Sequence, residues 1–411
     1  MEKVNKEQIW NLNPLSLVMK PGKNRLCIDV SRTTNNFIDN IPFKMVSFKD
    51  RLNKLKKNSF MCKLDLKHGY LHIKLNKDSR KYFGFEWEGN YYRYKYMPFG
   101  VNVAPYYFHS IIKEFCKTMS KKLNLIIENY LDDIWIQGEN YMEVKEGTKE
   151  IIKYLYLLGF KTNLKKSSTE PRKEMEYLGM IFNSTELTCT AKGEYLRNCK
   201  KRINWCLKNF KKLTLKDLQK LAGKLNFISQ LDIRLRSFTR GIYGSISSGK
   251  LSNNLLKDLY FWKNNIMKIK QAIKIEDFDQ VWTTDASDFA RAAVSRHGES
   301  IQNINIYKNK KHSSYNEMKA IHDLIEFKKF SFSGKKILIL TDSKSSVGAY
   351  RHGFSRSKSV TKLVKEINNW ALIHNFRISM HHIKGTENVL ADNFSRKIKT
   401  DLPISKGMIS M

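Results

Sequence analysis

The chain has 411 residues, 41% apolar and 12% aromatic, enough for several packed cores at roughly 150 residues per domain, which excludes wholesale disorder. With only 7 Pro and 20 Gly it is neither collagen-like nor of low complexity, and no apolar run approaches the roughly 18 residues of a membrane span. Lys and Arg number 74 against 39 Asp and Glu, a net charge of +35. A solvated surface ordinarily mixes both signs, so the excess predicts a polyanionic partner, with nucleic acid the default because phosphate neutralisation releases counterions. An anionic membrane would call for a basic amphipathic segment or a lipidation motif, and neither stands out; no membrane partner is expected.

The opening residues MEKVNKEQIW contain no apolar h-region, so an intracellular protein, cytoplasmic or nuclear, is expected. Residues 1–57 are polar and mixed, with turn-forming KPGKN at 20–24. From Phe60 to Ile136 the pattern predicts strands: SFMCKLDL and YLHIKL, then a hairpin in YFGFEWEGNYYRYKYM turning at Glu88-Gly89-Asn90. A helix is predicted from Pro105, with Phe108, Ile111, Ile112, Phe115 and Met119 at helical spacing. LNLIIENYLDDIWIQG reads as two short apolar strands around an acidic turn. Between Ala191 and Leu225 the character turns helical, with Thr214 and Asp217 as a capping box and eleven Lys or Arg against two acids. Such a stripe is a nucleic-acid contact or an ordinary solvated face. Ser245–Asn254 and Lys274–Asp279 read as connections, and the break near 275–280 as a domain boundary. Beyond it come VWTTDAS, a helix near Tyr315–Phe327, KILILTDS, a helix near Val360–Ile373, and FRISMHHI, a second strand–helix–strand unit. The six cysteines (Cys27, Cys62, Cys116, Cys189, Cys199, Cys206) show no CxxC pair and no zinc spacing, and read as reduced thiols.

The acids carry the chemistry. Asp132 and Asp133 sit between apolar runs expected to be buried strands, where adjacent carboxylates repel unless a cation compensates them. Asp65 ends another apolar strand, MCKLDL. Three carboxylates on neighbouring strand ends can hold two Mg²⁺ ions, which take oxygen ligands, water and substrate phosphates. Such a pair serves in-line phosphoryl transfer.

These residues resemble a known family. Asp65 with Tyr70, MPFG (97–100) with Ala104-Pro105, YLDD (130–133), GFKTNLKKS (159–167) and EYLGMIF (176–182) resemble, in that order, a reverse transcriptase palm. KNRLCIDVSR (23–32) resembles the fingers strand of such enzymes. The resemblance implies Asp65 and Asp132 as direct metal ligands with Asp133 in support. It also implies Arg25, with Lys23 or Lys20, on the nucleotide's triphosphate. Tyr70 would pack against the sugar to exclude a 2′-hydroxyl. Phe99 stands where retroviral enzymes carry Gln. Lys166 would protonate the leaving pyrophosphate, with Lys165 as its neighbouring rival, and residues 177–179 would be part of a primer grip.

Further along, Asp285 in TDAS, Glu317, Asp342 in TDS and Asp392 in ADNFSR, at intervals of 32, 25 and 50 residues, resemble a ribonuclease H domain. His382 matches a mobile histidine of that family and is equally an ordinary surface residue. DFARAAV (288–294) lacks the glycine usual after TDAS, so an irregular hairpin is expected. NPLSLVMKPG, DLKHGYLHIKL, LAGKLNFISQ (221–230), GFSRS (353–357) and HHIKGTENVLADNFSR lean toward the DIRS-like group of retrotransposons, with gypsy-type elements the alternative.

The fold this implies is an α+β right-hand polymerase followed by an α/β ribonuclease H-like domain with a mixed sheet. Fingers and palm would occupy 1–190, a basic helical thumb and connection 191–278, the nuclease 279–397 and a tail 398–411. The function implied is DNA synthesis on RNA and DNA templates with hydrolysis of RNA in hybrids, using two Mg²⁺ per site with Mn²⁺ as substitute. Its partners would be an RNA template, a DNA primer, the RNA–DNA hybrid and deoxynucleoside triphosphates, with Lys200, Lys201 and Lys208 on the duplex backbone. A domesticated, non-catalytic relic is the alternative; retention of all seven acids favours the enzyme.

Overall fold

The computed structural model describes residues 1–20, 23–43, 45, 48–269, 272–273, 277–287, 290–304 and 313–396, and of residues 18, 20, 23–25, 48–49, 272–273 and 303–304 the backbone only. The chain divides into two compact units, Met1–Cys189 and Thr190–Met411. The basic helices after residue 190 lie in the same unit as the C-terminal sheet.

The first unit is built on a four-stranded antiparallel sheet in the order Ile126–Tyr130, Asp133–Gly138, Phe60–Asp65, Ser168–Arg172. Cys62, Leu64, Ile134 and Ile136 are buried beneath the helices Ala104–Leu123 and Tyr141–Leu157. The first helix starts with Pro105 in its first turn and ends at Asn124 in the left-handed region. The second is capped by the Asn140 side chain, which accepts from the Met142 N–H at 2.8 Å. The expected hairpin is present as Gly84–Trp87 paired with Asn90–Arg93. Glu88 and Gly89 both have positive φ, as a two-residue turn matched to strand twist requires. The polar N-terminal stretch also holds strands: Leu15–Lys20 pairs with Lys23–Ile28.

YLHIKL is not a strand. His68 and Gly69 take positive φ and turn the chain into a short 3-10 helix, Gly69–His72, which tucks Tyr70 against two cores. Leu71, Ile73 and Leu75 alternate as in a strand, yet they reach one core from a turn rather than from a pleat.

In the second unit the helices Gly193–Lys208, Leu215–Ile228, Arg240–Ser248 and Asn253–Asn265 precede a five-stranded sheet. The capping box at Thr214 is present: its hydroxyl accepts from the Asp217 N–H at 3.2 Å, and Asp217 accepts from the Thr214 N–H at 3.2 Å. The predicted connection at 245–254 shrinks to residues 249–252, because Gly249 ends one helix and Ser252 caps the next. The sheet order is Ser300–Ile304, Ala290–Ser295, Gln280–Ala286, Lys336–Thr341, Arg377–His382, the first three antiparallel and the last two added in parallel. Helices Ser313–Lys328 and Lys358–Ile373 supply much of its core. The glycine-poor hairpin closes with the Ser287 N–H donating to the Ala290 carbonyl at 2.9 Å; Asp288 and Phe289 lie outside the described residues, as does the tail from 397. Among the described residues no helix is long and apolar enough to cross a membrane.

Candidate functional sites

In the first unit, strand pairing fixes the palm acids. Asp65 lies directly opposite Asp133, and Tyr130 opposite Asp133 on the other side, so Leu131 and Asp132 form the hairpin tip. Leu131 takes φ +53 to close that turn. The backbone around the acids is pinned from several directions. The Asp132 carbonyl accepts from Leu66 N–H at 2.9 Å and the Asp65 carbonyl from Asn163 N–H at 2.7 Å. The Asp65 N–H donates to Ser167 Oγ at 3.0 Å. The hydroxyl of fully buried Tyr177 donates to the Asp133 carbonyl at 2.9 Å.

Burial, with the charges of Asp132 and Asp65, pushes the Asp133 carboxyl up to about 6, while Lys63 and Lys166 oppose the shift. This all-oxygen group, in which Asp132 and Asp65 raise the cost of ionising Asp133, fits a hard divalent cation. Asp65 and Asp132 open onto a cavity of about 770 Å³ whose lining also includes Tyr70, Phe99, Asn163 and Lys166. The Tyr70 ring lies 5.3 Å from Phe99 and 5.6 Å from Phe108. Burial and the Asp132 charge raise its hydroxyl pKa. Lys166 faces the cavity; Lys165 is not part of its lining. Residues 178–179 form the tight turn between Glu174–Tyr177 and Met180–Asn183, both at positive φ. The side chains of Lys20, Lys23 and Arg25 lie outside the described residues.

In the second unit, Asp285 ends the central strand Gln280–Ala286, Glu317 projects from the helix Ser313–Lys328, and Asp342 follows Lys336–Thr341. Their carboxylate oxygens lie within 4.8 Å of one another. Burial, followed by the charges of Asp285 and Asp342, pushes Glu317 up to about 8. Its Oε2 is buried with no hydrogen-bond partner, which is the condition a bound cation would relieve. Ser395 Oγ donates to Asp285 Oδ2 at 2.5 Å. A Cβ at Gly385 would lie in ordinary contact, 3.4 Å from Asp342 Oδ2.

Asp392 does not join this trio. It accepts from Arg396 Nε at 2.7 Å, an i,i+4 pair on the helix Val389–Arg396, although its charge still raises Asp285. His382 is exposed at the end of its strand. Asp65, Asp132 and Asp133 stand farther apart than Asp285, Glu317 and Asp342; among the described residues the other group as tight is His322, Asp323 and Glu326. There Lys319 and Arg291 pair with Asp323 at 2.6 and 2.7 Å, so protein cations already compensate it. Sequence reasoning missed Asn163, Ser167, Tyr177 and Ser395 as supports. Each lies inside a quoted motif, yet its role depends on a contact made far along the chain.

On the helix Gly193–Lys208, Leu196, Cys199, Ile203 and Cys206 are buried. Lys201 and Lys208 are exposed and Lys200 half-buried.

The two units therefore have the fold of an α+β right-hand polymerase followed by a ribonuclease H-like domain. Comparison with known proteins agrees. Residues 6–182 match the family model described as reverse transcriptase (RNA-dependent DNA polymerase). The chain is 24% identical over 431 residues to an enzymatic polyprotein of Cassava vein mosaic virus, covering 97% of this chain and 63% of that protein. It is 22% identical to the transposon Tf2-3 polyprotein of Schizosaccharomyces pombe, covering 98% of this chain and 30% of the other. It thus spans less than two thirds of these relatives. Among solved structures, the foamy viral protease-reverse transcriptase in complex with dsDNA aligns with TM-score 0.57 at 19% identity, over 93% of this chain and 79% of that one. The same enzyme with an RNA/DNA hybrid aligns with TM-score 0.56 at 18% identity, over 97% and 53%. The chain has retrotransposon and viral polyprotein homologues.

Proposed function

We propose that this chain is a reverse transcriptase with ribonuclease H activity, a polymerase–nuclease segment of a DIRS-like or gypsy-type retrotransposon polyprotein. The observation that carries the reading is the register of Asp65 opposite Asp133, with Asp132 at the hairpin tip facing a cavity that also holds Tyr70 and Lys166. The division into fingers and palm (1–190), thumb and connection (191–278) and nuclease (279–397) is retained as a functional one. An intracellular setting is proposed, where RNA template and nucleotides are available.

Asp65, Asp132 and Asp133 would hold one pair of Mg²⁺ ions; Asp285, Glu317 and Asp342, with Asp392 once released by Arg396, would hold another. When bound, such pairs activate the attacking oxygen and stabilise the leaving one. The chain's own residues do the rest. The Tyr70 ring, braced by Phe99 and Phe108, would bar a 2′-hydroxyl. The Lys166 ammonium would hold a proton for the departing pyrophosphate. Arg25 and Lys23 would grip the triphosphate, and His382 would carry a proton at the nuclease site. Lys200, Lys201 and Lys208 would meet the duplex backbone without reading sequence. Primer extension on an RNA template with Mg²⁺, scored beside RNA-strand cleavage in a hybrid, tests the whole reading; absence of both products in folded protein refutes it.

Tyr70→Ala is expected to lower discrimination against ribonucleotides by roughly 10–100-fold, the range a steric pocket change commands. Steady-state incorporation of a ribonucleotide and its deoxy counterpart checks this; an unchanged ratio would return Tyr70 to a packing role.

The Glu317 carboxyl predicts a pH effect. Ordinarily it ionises near 4.5, and in the fold near 8. Between those values the folded chain binds a proton that the unfolded chain has released, so stability falls as pH rises through this window. Without Mg²⁺, melting of the wild type should decline relative to Glu317→Gln as pH increases from 5 to about 8. Added Mg²⁺ should recover more stability at the upper end. Parallel melting curves for the two proteins would contradict the shift.

A further inference from the structure

Residues of the stretch 226–243, with His352 and with Phe354 of the GFSRS segment (353–357), line another cavity in the second unit, of about 300 Å³; they include Asn226, Arg236, Thr239 and Arg240. It shares no residue with the carboxylate trio. Two guanidinium groups are built into it. Arg236 Nη1 donates to the Arg351 carbonyl at 2.7 Å. Gly353, at φ +76, lets the loop press on the same turn: a Cβ there would lie 2.7 Å from Arg236 Cβ and 2.8 Å from Ser237 N. The Arg240 guanidinium stacks 3.7 Å over the Phe354 ring.

No acid is among the described residues lining this cavity. Asp258, whose charge reaches Arg240, has its oxygens engaged by Lys365 Nζ at 2.5 Å and the Gly241 N–H at 2.6 Å. Burial disfavours the charged form of both arginines. Two half-buried cations facing one space without a carboxylate are unfavourable until an anion enters. Planar guanidinium forks held in place match the oxygens of a phosphate and have little rotamer freedom left to lose.

We propose that this cavity binds a backbone phosphodiester of a nucleic-acid strand, clamped by Arg236 and Arg240 with His352 at the rim. The inference rests on the nucleic-acid partner of the proposed function. The net charge of +35 favours a strand over a free anion, because the rest of the surface also attracts one.

The test measures anisotropy of a fluorescein-labelled RNA–DNA hybrid across a KCl series, for the full chain and for Arg236→Gln, Arg240→Gln and His352→Gln. Melting curves verify folding. Each arginine removed should make the log–log salt slope shallower by about 0.9, while Arg240→Lys retains the slope but binds more weakly for want of a planar fork. If Arg236→Gln fails to fold, Arg240→Gln decides the matter. A wild-type slope near zero would remove the nucleic-acid partner itself. A steep wild-type slope unaltered in the folded variants would overturn this cavity's role alone. Inorganic phosphate that stabilises the wild type but not Arg240→Gln at constant ionic strength, with the hybrid slope unaltered, would overturn the strand assignment in favour of a free anion.

Discussion

Asp132→Asn is expected to abolish primer extension on RNA and DNA templates alike while leaving hybrid binding and RNA-strand cleavage near wild type. Asparagine keeps the side-chain shape at the tip between Leu131 and Asp133, so the hairpin and its hydrogen bond from the Leu66 N–H to the residue 132 carbonyl should survive. What disappears is one of three negative charges. Two consequences follow in opposite directions. Asp133 should ionise more readily, since Asp132 is the largest charge now holding its carboxyl up. Cation affinity should nonetheless fall, because an amide oxygen is a neutral ligand. The activity loss should be roughly a hundredfold or more, the scale on which one electrostatic partner of a transition state is felt. A gel of extended primers, with anisotropy on the same protein, checks both halves. Wild-type extension by Asp132→Asn would sink the palm assignment.

Asp342→Asn carries the reciprocal expectation: RNA in a labelled hybrid stays uncut while extension continues. Asp342 is one of three carboxylates with oxygens within 4.8 Å, and the others cannot substitute for it. Asp392, once released by Arg396, would add a ligand of its own rather than replace that of Asp342, and Ser395 is occupied by Asp285. The substitution should also lower the Glu317 pKa, because Asp342 contributes to raising it. Cleavage should again fall roughly a hundredfold or more. A duplex DNA control should remain intact with every protein, since the strand attacked must carry the 2′-hydroxyls that tell RNA from DNA. Wild-type cleavage by Asp342→Asn would return these acids to the surface. A non-catalytic relic would fail in the wild type as well, which separates that alternative from a wrong residue assignment.

Much of this architecture was legible because apolar runs bracket the chemistry. IIENY and IWIQ could only be buried strands, so the acids between them had to form a tip. KILIL placed Asp342 by the same logic. Legibility failed where local pattern and long-range contact disagree. YLHIKL alternates like a strand, and the left-handed residues His68 and Gly69 overrule that alternation. The helix Lys344–His352 went unseen because serine, glycine and alanine give little apolar periodicity; it is started by Ser343, whose hydroxyl accepts from the Ser346 N–H at 3.3 Å. At the site, the carboxylates could be named from spacing, but their supports could not. Nothing in the order of residues says that Tyr177 will reach the Asp133 carbonyl, or that Arg396 will draw Asp392 aside.

The Ser395 hydroxyl reaches back 110 residues to Asp285. A chain leaving the ribosome has its first unit complete after Cys189, whereas Asp285 waits for the last helix among the described residues before its buried oxygen is satisfied. Synthesis therefore assembles Asp65, Asp132 and Asp133 well before Asp285, Glu317 and Asp342. A product cut short of residue 395 would retain Asp285, Glu317 and Asp342 in its sequence, yet lack the hydroxyl that anchors the first of them.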